Sequence, residues 1–372
     1  MDQLTHRDIA DAALATGGVL TVDLGAIRRN YHRLRAASPN SEVAGVVKAD
    51  GYGLGAVPVV RALLAEGCRK LFVAHLSEAL ALRPIVPADV DLIVLHGAPP
   101  GGEAACAEQH IHPVLNSRAQ VLAWSSLAQR TRTVLPAYLQ LDTGMTRFGL
   151  SESDLPWLNE TPGVLFGIGL RCVMSHLACA DTPEHPANAA QIAAFNRMRK
   201  ALPPLPASLA ASSGIFLGAA AQFDIVRPGA ALYGINPVPG CGNPMERVVR
   251  LDAVVMQVRE VGAGVAVGYG HTAVTERPTR LATLAVGYAD GFRRSLAGTA
   301  AAWFGDAPLK LVGRVSMDSM VVDATGMDLF PGALVELIGP HCEVDDLATN
   351  AGTIGYEMLT SLGQRFVRRI TE

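Results

Sequence analysis

Short apolar runs, most of them closing on a polar residue, recur along the first two-thirds of the chain. VAGVVK (43–48), LFVAH (71–75), DLIVLH (91–96), HPVLN (112–116), PAYLQLD (136–142), LRCVMSHL (170–177), LPASLAAS (205–212) and DIVRPGAALYG (224–234) have the length of strands. Their near-continuous apolar character is that of strands buried on both faces of a parallel sheet. Between them lie segments with helical spacing of apolar residues, such as AVPVVRALLAEG (56–67), SRAQVLAWSSLAQR (117–130) and NAAQIAAFNRMRKAL (188–202). Eight such strands with seven helical spacers predict an α/β domain, a (β/α)8 barrel over residues 25–245. A doubly wound open sheet shows the same alternation.

Near residue 246 the rhythm changes. RLDAVVMQVREV (250–261), RLATLAVGY (280–288), PLKLVGRVSMDSMVV (308–322) and ALVELIG (333–339) are strand-like and separated by Gly, Pro and Asp turns. One good helical segment is expected, near TIGYEMLTSLGQ (353–364). Residues 246–372 therefore read as a separate, mainly β domain, bounded by the turn-rich NPVPGCGNP (236–244). An N-terminal extension, residues 1–24, ends in the strand GVLTVDL (18–24), which precedes the barrel and can pair with the second domain.

Bulk properties narrow the class. The chain has 372 residues, 49% of them hydrophobic and 17% charged, enough for one large domain and a smaller one. A net charge of −3 gives no electrostatic case for nucleic acid, and the short RFVRRI (365–370) reads as a solvated face. No apolar run approaches the roughly 20 residues of a membrane span. The start MDQLTHRDIADAAL lacks the basic-then-apolar order of a secretion signal. Six scattered cysteines without a CxxC pair read as reduced, mostly buried small hydrophobes of a cytoplasmic protein.

Chemistry enters at VVKADGYGLGA (46–56). Lys48 closes an apolar run, where a bare ammonium is costly unless paired, neutralised or used. Only four of the 31 basic residues are lysines: 48, 70, 200 and 310. Arginine cannot serve as an amine nucleophile, whereas a desolvated lysine can, so Lys48 is a candidate chemical lysine. The plain alternative is a side chain that snorkels to solvent.

Other strand ends carry His75, His96, Asn116, Asp142, His176, Ser212 and Ser213, with Arg227 inside the eighth segment. His75 and His96 read as structural. HLAC (176–179) has no second ligand pair, so no metal site is expected. Neither DGYGLGA nor GAGVAVGYG has GxGxxG spacing, and no P-loop motif is present. Barrels hold phosphate near strands 7 and 8, where Ser212-Ser213-Gly214 and Arg227-Pro228-Gly229-Ala230 lie. A strand-end lysine, a phosphate site across the barrel mouth and a nearby tyrosine point to pyridoxal 5′-phosphate on a Schiff-base lysine.

The motifs carry a resemblance. VVKADGYGLGA, LDTGMTRFG (141–149), VRPGAALYG (226–234), VGYGHT (267–272), VGYADGF (286–292), GRVSMDSM (313–320) and TIGYEM (353–358) resemble, in order, those of the bacterial alanine racemases. The resemblance implies a cytoplasmic isomerase whose product, D-alanine, is a peptidoglycan precursor. It implies that Lys48 binds the cofactor and moves the α-proton on one face of the substrate. Tyr52, Ser213, Gly229, Ala230 and Tyr356 are then expected at the cofactor phosphate, and Arg227 at the pyridine nitrogen. His176 is expected to position Arg227 and Tyr269. Tyr269 becomes the base on the opposite face, reaching in from the partner of a head-to-tail homodimer. Tyr288, Met317 and Asp318 line the same entrance, and Arg147 holds Tyr269 and the substrate side. A phenol ordinarily keeps its proton to about pH 10, so a tyrosine base needs cationic neighbours.

Two positions depart from the family pattern. Gln140 stands seven residues before Arg147, where relatives often have a lysine modified to a carbamate. Gln140 cannot be modified so, but its carbonyl can accept a hydrogen bond from Arg147, and a chloride ion can fill the charge deficit. Ser212-Ser213 replaces the usual Asn-Ser. The alternatives are another or broader amino-acid racemase (serine, for example), a decarboxylase of the same fold, and a non-catalytic cofactor carrier. Arg227 argues against the decarboxylase, which has an acid at the pyridine nitrogen. Tyr269 and the β domain argue against the carrier.

Overall fold

A computed structural model describes residues 12–372. The described chain divides into two compact units, one from Ile27 to Glu246, the other made of Arg247–Glu372 with the described residues before Ile27. Residues 1–11 of the expected N-terminal extension, and with them most of the stretch read against a secretion signal, lie outside the described residues.

In the first unit the apolar runs become parallel strands. They are Glu42–Val43 continuing into Gly45–Val46, then Lys70–Val73, Asp91–Val94, Ile111–Leu115, Leu135–Gln140, Ile168–Met174, Ala207–Ser208 and Ile225–Val226. From Gly45–Val46 to Ala207–Ser208 each pairs with the next, for example Gly45 with Leu71, Lys70 with Asp91, Val114 with Tyr138 and Val173 with Ala207. Arg227 bridges to Ala211, and Ile225 lies parallel to Glu42. The ladder thus returns to its first strand. The sheet is a closed barrel, not an open doubly wound one.

The helices Ala56–Ala65, Leu76–Leu82, Glu103–Glu108, Arg118–Thr131, Leu155–Glu160 and Pro186–Arg199 alternate with these strands. Ala56–Ala65 buries Val59, Val60, Ala62 and Leu63, and a buried side chain of valine or leucine size contributes roughly 1.5–3 kcal/mol. Gly45 explains how closely it seats: a Cβ there would stand 2.7 Å from Leu63 Cδ1. The glycine inside VAGVV is a packing residue.

The second unit is built on one long strand, Val249–Val261. It pairs antiparallel with Gly18–Asp23, Leu334–Ile338 and Thr279–Leu284, and Gly18–Asp23 runs parallel to Val367–Thr371. Two helices, Val344–Ala351 and Gly355–Ser361, lie between the strands Leu334–Ile338 and Val367–Thr371, where the sequence pattern predicts one. The additional helix is short and buries only Val344, Leu347 and Ala348. Its end signals are local: Asp346 accepts from Glu343 N–H at 3.1 Å, and Gly352 closes it at φ 70°. No helix among the described residues is long and apolar enough to cross a membrane.

Candidate active site

The C-terminal ends of the barrel strands gather the chemistry of the first unit. The first strand ends at Val46, two residues earlier than the apolar run suggests. Beyond Lys48 the backbone turns left-handed, with φ of 52°, 52°, 62°, 56° and 82° at Ala49, Asp50, Gly51, Tyr52 and Gly53. Each non-glycine residue in that region costs about 1–2 kcal/mol, so the turn needs fixed partners. Gly51 N–H donates to Val47 O at 3.0 Å, Gly53 N–H to Ala49 O at 2.7 Å and Ala56 N–H to Asp50 Oδ1 at 2.7 Å. Lys48 is left half-buried just past the strand end, while Tyr52 turns inward and is buried. Burial, and then the nearby Arg147, push the Lys48 ammonium below its ordinary pKa; Glu78 opposes them. Lys70 is the contrast, with Nζ 3.2 Å from both Glu42 Oε2 and Asp91 Oδ2 at the opposite ends of the strands. That lysine is a structural ion.

Arg227, on the closing strand, is buried, and none of its hydrogen-bond partners is a carboxylate. It donates to Ser175 O at 2.6 Å and Leu209 O at 3.5 Å, and to Ser208 Oγ. Its Nη2 lies 3.4 Å from His176 Nδ1. Burial alone pushes the guanidinium down, to about 10, so it stays charged at neutral pH. Because the guanidinium only donates, His176 Nδ1 must accept. Burial, Arg227 and Arg147 push the His176 imidazole down to about 3, which keeps it neutral.

That depression has a stability consequence. The unfolded chain takes up a proton at His176 near the ordinary pH 6.5, whereas the folded chain resists to about pH 3. This contribution is complete above pH 6.5 and is lost as pH falls toward 3, an effect on the order of 5 kcal/mol. A His176→Gln variant is expected to show a flatter fall in unfolding free energy between those limits in denaturant titrations. An unchanged slope would mean that His176 does not resist protonation.

A small cradle lies beside the lysine turn. Tyr52 stacks on Tyr233 at 4.6 Å between ring centroids, and a Cβ at Gly229 would stand 2.1 Å from the Tyr52 hydroxyl. Ser212 Oγ accepts from Gly229 N–H at 3.0 Å and Ala231 N–H at 3.2 Å, so the departure from Asn-Ser is used to shape this turn. Ser213 is half-buried on the same short helix, and Ala230 opens the 3-10 turn Ala230–Tyr233. Gly229→Ala is expected to displace the phenol, weaken phosphate or cofactor binding about tenfold and lower stability by about 1–3 kcal/mol. Equilibrium cofactor titration and thermal melting check both effects.

The rim fits the pyridoxal phosphate that the sequence implies. It offers a lysine with eased proton loss, a charged donor without an acid partner for a ring nitrogen, and a cradle that admits no Cβ.

Arg147 follows a loop folded on Asp142, whose Oδ1 accepts from the N–H groups of Gly144, Met145 and Thr146 at 2.9–3.1 Å. The loop carries the guanidinium to 5.9 Å from the Phe148 ring centroid. Gln140 is buried on its strand, and no hydrogen bond joins its side chain to Arg147 or any described residue. A bond from Arg147 to the Gln140 carbonyl, which the sequence allows, is not formed; Arg147 lies over the Phe148 ring instead. Phe148 also meets His96, which stands edge-on to His75 with ring centroids 4.5 Å apart.

The remaining expected residues belong to the second unit. Tyr269 stands on a 3-10 turn between Gly268 and Gly270, with 70% of its surface exposed. Tyr288 and Met317 come together because Tyr288 N–H donates to Ser316 O and Ala289 N–H to Met317 O, each at 3.0 Å. Asp318 accepts from Arg365 at 2.7 Å, and Arg365 also grips the buried Asp290 at 2.7 and 2.9 Å. Tyr356 lies on the helix Gly355–Ser361. Sequence reading missed Glu78, Ser175, Ser208 and Arg365, whose partners are backbone groups or residues far along the chain. No periodic or motif signal marks them.

Known proteins share this arrangement. The family model for the alanine racemase N-terminal domain matches residues 22–237, and that for the C-terminal domain matches 248–370. A catabolic alanine racemase of Mesorhizobium japonicum is 51% identical, the match covering 95% of this chain and 93% of the relative. One of Agrobacterium fabrum is 49% identical over 99% of this chain and 95% of the relative. The crystal structure of alanine racemase from Bartonella henselae, with covalently bound pyridoxal phosphate, superimposes with a TM-score of 0.91 at 41% identity, covering 95% of this chain and 99% of that one. With both domain models matched in order and half of the residues shared with such relatives, the chain belongs to the alanine racemase family.

Proposed function

We propose that the protein interconverts L- and D-alanine, using pyridoxal 5′-phosphate attached to Lys48, and that it works as a homodimer with shared sites. Arg227 carries this reading: a buried guanidinium with no carboxylate partner, at the barrel mouth that also presents Lys48. The cofactor, when bound, supplies an electron sink that acidifies the substrate α-hydrogen. Tyr52, Ser213, Gly229, Ala230 and Tyr356 hold its phosphate. Arg227 would donate to the ring nitrogen and, with donors only, would keep that nitrogen unprotonated. Neutral His176 accepts from Arg227 and fixes its plane. Lys48 Nζ, its proton loss eased by burial and by Arg147, takes or returns the α-proton on one face. Tyr269 of the partner subunit does so on the other, and Tyr288, Met317 and Asp318 of the partner subunit line the entrance.

The test is interconversion of the alanine enantiomers by the purified chain with pyridoxal phosphate, measured against a panel of other amino acids. Alanine is expected to be the fastest substrate. A chain that inverts serine faster, or that releases carbon dioxide from an amino acid, would displace the reading.

Gln140 makes this enzyme independent of carbon dioxide, because no carbamate can form there. The neighbourhood of Arg147 then takes an anion such as chloride in place of the missing negative charge. Stripping bicarbonate is expected to leave turnover unchanged, while replacing chloride with a bulky anion lowers it about twofold, within the range of an exposed ion pair. Loss of turnover on removal of carbon dioxide contradicts this.

A further inference from the structure

Glu78 lies on the helix Leu76–Leu82 and outside every motif that points to the site. Its Oε2 accepts from Ala74 N–H at 2.7 Å and His75 N–H at 2.9 Å, the bonds of an ordinary helix start. Its Oε1 does something helix capping does not require: it accepts from Ala49 N–H at 2.5 Å. Ala49 is the residue after Lys48 and the first of the five left-handed residues. One carboxylate thus ties the exit of the second strand to the turn that carries the lysine. A charge-assisted bond, roughly twice as strong as a neutral one, falls where the backbone is least favourable.

The charges around Lys48 add a second effect. Arg147, on the loop after Leu135–Gln140, acts against the ammonium, and Glu78 acts for it. His96, after the strand Asp91–Val94, and His176, after Ile168–Met174, also interact with Lys48. Both imidazoles are pushed below their ordinary range, burial first, and are neutral at neutral pH.

We propose that Glu78 is a positioning residue for Lys48: its carboxylate clamps the left-handed turn that sets the lysine at the barrel mouth and supplies the negative charge that balances the lysine nitrogen. Glutamine at 78 removes the charge and turns an NH2 group toward an N–H donor on one side. Aspartate keeps the charge but is one methylene too short to span both sets of N–H groups.

This rests on Lys48 as the cofactor lysine, which borohydride trapping of pyridoxal phosphate at residue 48 of the parent chain checks separately. Two readouts on the full-length, cofactor-loaded protein test Glu78 itself: the pH midpoint of the cofactor absorbance change, and hydrogen exchange at the Ala49 amide. Glu78→Gln is expected to move the midpoint down by about 0.5–1 pH unit and to speed Ala49 exchange about tenfold. Glu78→Asp is expected to hold the midpoint while still speeding Ala49 exchange. A helix cap alone would lower the melting temperature in both variants and leave the midpoint and Ala49 exchange at parent values; that pattern overturns the inference. Should Glu78→Gln not fold, Glu78→Asp decides alone, and parent-level protection of Ala49 then overturns the clamp.

Discussion

Lys48→Ala is expected to abolish racemisation, with turnover falling about 10⁴-fold or more, since one residue supplies both the cofactor linkage and a base. The fold is expected to survive. Lys48 is half-buried beyond the end of its strand, and the hydrogen bonds of the following turn are made by backbone groups and by Asp50 and Glu78. Removing its side chain also removes a partly desolvated charge. Stability therefore changes by less than about 1 kcal/mol, and the melting curve of the variant should overlie that of the parent. Borohydride treatment of the parent, followed by peptide mapping, should place reduced cofactor on residue 48, with none on Lys70, Lys200 or Lys310. Lys70 is excluded on physical grounds, because it is held between two carboxylates that raise its affinity for its proton. A Lys48→Ala protein with normal turnover would remove the basis of the mechanism.

The second large effect is complementation between two inactive chains. Lys48→Ala and Tyr269→Ala are each expected to be inactive alone. Mixed under conditions that exchange subunits, they form heterodimers in which one site carries both lesions and the other carries none. Random exchange at equal concentrations yields heterodimers as half of the dimers, each with one working site, so about a quarter of parental activity should return. The motive is the place of Tyr269 in the fold. It stands on an exposed turn of the second unit, whereas Lys48 belongs to the barrel unit. Exchange shown by mass-tagged subunits, with no activity regained, would mean that each chain builds its own site.

The barrel was legible because most of its strands announce themselves twice, by an apolar run and by a polar residue at the end. Lys48 and His176 stand out at such strand ends, while Arg227, inside its segment, and the role of His176 came from the family resemblance. What stayed hidden shares a different physics. The left-handed turn after Lys48 includes Ala49 and Tyr52, residues with no preference for that region, and is stabilised by bonds from elsewhere. Glu78 looks like a helix-start glutamate, since two of its three bonds are those of a cap. The helix Val344–Ala351 was missed because it is short, about two turns, although Val344, Leu347 and Ala348 fall on one helical face. The sequence allows Gln140 to accept from Arg147, but the loop folded on Asp142 carries Arg147 over Phe148. For the lysine turn and Glu78 the deciding contact, Ala49 N–H to Glu78, is between segments that the sequence does not show to be neighbours.

The central claim is that two bases, Lys48 and Tyr269, act on opposite faces of one α-carbon. It is tested most directly by following the α-hydrogen of each alanine enantiomer in deuterium oxide with Tyr269→Phe. In the parent both enantiomers exchange and interconvert. In the variant Lys48 alone remains, on one face, so only the enantiomer whose α-hydrogen points toward it should exchange, with its configuration retained, while inversion falls to background. Equal exchange of both enantiomers by the variant, or inversion at the parental rate, would contradict the account.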